Sequence, residues 1–97
     1  MIIAKCYDRR NRLLSVATNS YQKTHPLQKH FAKLVGHEHK EYLHAEIRAI
    51  LRAKDQPIER ITIERYNKNG EPMLAKPCKI CECAIKSFNI PIVEYTT

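Results

Sequence analysis

The chain has 97 residues, 43% of them hydrophobic and 28% charged, ordinary proportions for one globular domain spanning residues 1–97 with a modest core. Seventeen Lys and Arg against ten Asp and Glu give a net charge of +7, which favours phosphate-bearing partners without specifying one. The opening MIIAKCYDRR breaks at Lys5 before a signal-peptide apolar segment builds, and no apolar run approaches a membrane span. The expectation is therefore a cytoplasmic chain without a membrane partner, in which the four cysteines read as metal ligands or redox thiols before disulfides.

Ile2 to Tyr7 alternates apolar and polar residues and predicts a strand. Asp8-Arg9-Arg10-Asn11 reads as a turn and Leu13 to Thr18 as the second strand of a hairpin, with the arginines of the turn solvated. Thr24-His25-Pro26 opens a first helix, with Thr24 as the expected N-cap. Leu27, Phe31, Leu34 and Val35 give that helix an apolar face, and Gly36 stops it. A second helix is predicted over about 43–54, with Leu43, Ile47, Ile50 and Leu51 on one side.

Ile58 to Tyr66 alternates around Ile61 and Ile63 and predicts a third strand, followed by a turn at Asn67-Lys68-Asn69-Gly70. Pro77 introduces a third helix with Ile80, Ala84, Ile85 and Phe88 on one face, and Asn89 suits its C-terminal end. Pro91 to Thr96, rich in β-branched and aromatic residues, is a last strand. The order β-β-α-α-β-α-β predicts an α/β fold: an antiparallel hairpin, then strands alternating with helices, so that the last two pair in parallel in a mixed sheet of about four strands.

Two segments carry chemistry. His44-Ala45-Glu46 stands at the start of the second helix, and Pro77-Cys78-Lys79-Ile80-Cys81 at the start of the third, with 31 residues between Glu46 and Cys78. Cys78 and Cys81 are spaced i, i+3 and share a helix face, so both can bind one ion. A helix N-terminus favours their thiolate forms. Two thiolates, one neutral imidazole from His44 and one Zn²⁺ per chain sum to zero charge, and three protein ligands leave a tetrahedral position for water. Glu46, in the first helical turn, can reach the same ion and act as proton carrier without being a ligand.

The joined pattern H-x-E…P-C-x-x-C is the signature of zinc deaminases of nucleobases. On these residues, and on an element order that extends over nearly the whole chain, the sequence resembles the cytidine deaminase-like superfamily, including compact members encoded by bacteriophages. The resemblance implies a three-layer fold with zinc held between two helices. It implies hydrolytic deamination of a nucleobase, cytosine before adenine, free or in single-stranded nucleic acid. It also implies that Asn19, just after the second strand, contacts the sugar or base. The chain departs from the superfamily pattern in ending after its fourth strand and in lacking a helix before the hairpin.

Tyr21 and His25, between Asn19 and the HAE segment, are further candidates for the pocket rim, Tyr21 by stacking on a base. His25 can equally start a helix. His44 is preferred to His37 and His39, which read as a loop. Cys83, two residues past Cys81, is turned away on a helix and is expected to pack as a small hydrophobe, as is Cys6 on its strand. Competing readings are a non-catalytic zinc module of deaminase fold and a small basic nucleic-acid-binding protein with structural zinc. An open sheet edge makes a homodimer the expected assembly.

Overall fold

The computed structural model describes residues 2–19, 24–36 and 44–97. Strand β1 (Ile2–Tyr7) forms where alternation predicts it: Ala4 and Cys6 point inward and are fully buried, while Ile3, Lys5 and Tyr7 point outward. Asp8 makes the turn to β2 (Leu13–Thr18). Its Oδ1 accepts from the amides of Arg10 and Arg12, each at 2.9 Å, and its Oδ2 lies 2.8 Å from Arg12 Nε. Asn11 adopts φ 63, the left-handed conformation that Asn tolerates best among non-glycine residues.

Helix α1 (Pro26–Leu34) is followed by α2 (Ala45–Arg52), β3 (Arg60–Arg65), α3 (Lys79–Ser87) and β4 (Ile92–Tyr95). The four strands form one sheet in the order β2-β1-β3-β4. β1 is antiparallel to β2 and β3, and β3 and β4 are parallel, as the alternation of the second half of the chain predicts. The parallel pair needs a crossover, and α3 supplies it. No helix among the described residues is long and apolar enough to cross a membrane.

Register places Ala4 beside Ala17 and Ile63, and Cys6 beside Ile61. With Ala45, Ala49 and Ile50 of α2 and Ile85 of α3, these residues form the first core cluster. A second cluster, of Phe31, Ala32, Ile47, Ile80, Cys81 and Ala84, lies on the opposite face of α2, beneath α1. The layers run sheet, α2 and α3, then α1. The other sheet face carries Lys5 paired with Glu64 at 3.2 Å, Arg60 paired with Glu94 at 2.8 Å, and the Arg60 guanidinium 4.3 Å from the Tyr7 ring centroid.

Two details of the helices differ from expectation. The N-cap of α1 is His25, not Thr24: His25 Nδ1 accepts from the Leu27 amide at 3.0 Å, one residue later than a Thr24 cap would lie. The face α1 buries is Gln28, Phe31 and Ala32, whereas Leu34 is 61% exposed. The small Ala32 side chain lets α1 approach α3 closely, and Gln28 has a backbone partner in the interior. The stops behave as predicted. Gly36 has φ 76 and donates to Lys33 O after α1. Asn89 has φ 57 after α3 and donates to Lys86 O, while Ile90 donates to Ile85 O, a Schellman closure.

Candidate metal centre

The N-termini of α2 and α3 converge. His44 is the N-cap of α2 and Cys78 the N-cap of α3, both with extended backbone. At an N-cap a side chain normally folds back onto the first turn. Here both turn toward a common point. Cys81, the third residue of α3, turns to it as well and is fully buried.

His44 Nδ1 lies 3.3 Å from Cys81 Sγ and 3.5 Å from Cys78 Sγ. All three ligand atoms lie within 4.8 Å of one another. A tetrahedral ion with ordinary Zn–S and Zn–N bond lengths requires an N···S edge of about 3.5 Å. The two measured edges match it, so these residues fit a single metal ion. The i, i+3 pair works differently from a shared helical face. Cys78 stands just outside the helix and Cys81 inside its first turn, which brings both sulfurs above the helix end.

The approach to Cys78 is held by the far end of the sheet. Thr96 donates its amide to Ile63 O on β3 at 3.0 Å and accepts the Ala75 amide on its own carbonyl at 2.9 Å. Its hydroxyl donates to Met73 O at 2.6 Å. Ala75 is thereby pinned to the core two residues before the buried Pro77.

The electrostatics divide the two thiols. Cys78 is pushed down to about 3, chiefly because the neighbouring Cys81 thiol stabilises its thiolate, with His44 adding to the effect against the cost of burial. Cys81 is pushed well above the ordinary thiol range by its role toward Cys78, by burial and by the nearby Glu46 carboxylate.

Glu46 occupies the second position of α2 and is 6% exposed. Burial pushes its carboxyl up, and its own backbone amide, the Cys81 thiol and His44 oppose that shift. Gln28 and Glu46 are the two buried polar or charged side chains among the described residues. Gln28, on α1, is fully buried, and its Oε1 accepts the His44 amide at 3.2 Å. Its Nε2 has no partner among the described residues, an arrangement that costs about 1–3 kcal/mol. Sequence periodicity missed Gln28. The one signal available was a polar residue a turn before Phe31, next to an apolar stripe.

No family model and no curated protein matches this chain.

The other sequence candidates have their positions. Asn19 ends the hairpin: its amide donates to Ile2 O at 3.3 Å and its Oδ1 accepts the Ile2 amide at 3.4 Å. Its side-chain oxygen therefore serves the β1–β2 pairing, and its Nδ2 is the atom with which it can meet a ligand. His25 spends Nδ1 on capping α1, which leaves Nε2 as its remaining ring nitrogen. Tyr21, His37 and His39 lie outside the described residues. Cys83 is half-buried against the second core cluster and Cys6 is buried in the first, both as packing residues.

Proposed function

We propose that this chain is a zinc-dependent hydrolase that removes the amino group of a nucleobase, cytosine before adenine. The observation that carries the reading is Glu46, a carboxyl group buried against Cys81 and two residues from His44. An acid held in the interior at a cost, beside a cluster fit for a metal, suits proton transfer at that metal. The H-x-E…P-C-x-x-C pattern supports the same reaction.

His44, Cys78 and Cys81 would hold the ion. Zn²⁺ bound there supplies acidification of water, so that it reacts as a nucleophile near neutral pH. Glu46 would take one proton of the attacking water at its carboxylate and pass it to the ring nitrogen of the base, then take the second, from the hydroxyl added to the base, and pass it to the departing amine. Water is consumed and ammonia released, with a C–N bond replaced by C=O. The net charge of +7 favours a phosphate-bearing substrate, either a nucleotide or a base in single-stranded nucleic acid.

The test is a substrate panel: cytosine and adenine nucleosides, nucleotides, single-stranded DNA and RNA. Each is incubated with zinc-loaded protein and followed by ammonia release and by the one-unit mass gain of amine-to-carbonyl exchange. Turnover of any member supports the reading. No turnover across the panel by protein carrying one zinc per chain replaces it with a non-catalytic zinc module.

A further inference from the structure

We propose that Gln28 is a positioning residue for the metal centre. Through its side-chain carbonyl it holds the His44 backbone in the extended conformation that turns Nδ1 toward the two sulfurs. The inference rests on the metal reading of His44, Cys78 and Cys81.

Three observations carry it. First, the orientation of the Gln28 amide is settled by chemistry: the His44 amide can only donate, so the atom facing it at 3.2 Å is the oxygen. Second, that orientation leaves Nε2 buried and without a partner among the described residues. A hydrocarbon side chain would fill the same space without that cost, so what Gln28 contributes is its acceptor.

Third, α2 lacks the local device for this bond. In a capping box, a Glu or Gln at the third helical position accepts the N-cap amide, and the N-cap side chain caps in return. The third residue of α2 is Ile47, which is fully buried in the second core cluster and has no acceptor. The His44 side chain makes no capping bond, because it faces the sulfurs. Gln28 supplies the missing half of the box from another helix. It thereby ties α1, which offers no ligand, to the geometry of one.

The experiment compares the parent with Gln28→Met, which keeps the volume and loses the acceptor, and Gln28→Glu, which keeps the acceptor. Zn²⁺ affinity is measured by competition with a chromophoric chelator, and ligand geometry by the visible spectrum of the Co²⁺ form. Met should weaken Zn²⁺ binding tenfold or more and alter the Co²⁺ spectrum, while Glu stays within threefold of the parent or binds tighter. Gln28→Met within threefold of the parent overturns the proposal, since a packing role alone would lower stability and leave affinity unchanged. If Gln28→Met does not fold, NMR of the parent decides. The Gln28 carboxamide and His44 amide signals should shift together as Zn²⁺ is added, and unmoved signals at saturation overturn the proposal. A parent that binds no Zn²⁺ rejects the metal reading itself, whereas a binding parent with an indifferent Met variant rejects only Gln28.

Discussion

His44 and Cys78 hold the same position on two different helices: each is an N-cap whose side chain faces the other's. Their ligand atoms stand 3.5 Å apart. The two first turns thus bring their N-cap side chains to one point, where Cys81 joins them. Such a cluster gains stability when an ion joins it.

The first prediction concerns that gain. The parent should bind one Zn²⁺ per chain, and the double variant Cys78→Ala, Cys81→Ala should bind none. At free zinc a thousandfold above Kd, binding contributes about 4 kcal/mol, which for a domain of this size raises Tm by on the order of 20 °C. Elemental analysis and thermal melts with and without a chelator check it. A parent that is folded, metal-free and indifferent to zinc contradicts it.

Glu46 yields a prediction separate from metal binding. It stands within the site and is not needed as a ligand. Glu46→Gln should therefore keep the zinc stoichiometry while the proposed deamination falls by about 10²- to 10⁴-fold, the ordinary contribution of a general acid–base. Zinc content and turnover are measured on the same preparation. Turnover within fivefold of the parent would remove Glu46 from the mechanism.

Much of this was legible in the sequence, for identifiable reasons. β1 and β3 alternate in burial, and β1 and β2 have the predicted ends and β3 and β4 the predicted centres. Pro77 and Asn89 bracket α3 because one cannot continue a helix backward and the other tolerates a left-handed turn. The Cys78–Cys81 pair follows from spacing, since i, i+3 residues at a helix start approach each other whether or not the first is helical, whereas His44 was legible only through the joined H-x-E…P-C-x-x-C pattern. What was not legible depends on distant backbone. The buried face of α1 turns toward Gln28 because an amide sixteen residues away needs an acceptor. No periodicity within α1 contains that fact. Asn19 and His25, the described candidates for substrate contact, each spend one side-chain atom on neighbouring backbone.

The end of α3 offers a test of local backbone conformation. Asn89 has φ 57, and the bond from Ile90 to Ile85 that it permits also brings those two buried side chains into the first core cluster. Asn89→Gly should be neutral or slightly stabilising, because glycine meets no Cβ penalty there. Asn89→Val should cost about 1–2 kcal/mol. Urea denaturation at constant slope distinguishes the two. Equal midpoints for Gly and Val would show that the Schellman closure is not formed.

The hairpin turn supplies a pH dependence of known sign. The Arg12 amide, donating to Asp8, holds its carboxyl below the ordinary carboxylate range, and the Arg12 side chain and Arg10 amide add to this. A depressed folded pKa means that the unfolded chain takes up the proton first as pH falls. The contribution of Asp8 to stability is therefore fully present above about pH 4–5, above the unfolded value near 3.9, and is lost as pH falls through the folded value. Asp8→Asn keeps an acceptor for the Arg10 and Arg12 amides but loses the ionised oxygen that faces Arg12 Nε at 2.8 Å. The variant should have a lower urea midpoint than the parent at pH 7. The gap should narrow as pH is lowered from 5 toward 3 and should shrink with added salt, because the pair is exposed on the arginine side. A gap that stays constant between pH 7 and 3 would assign the effect to turn geometry rather than to charge.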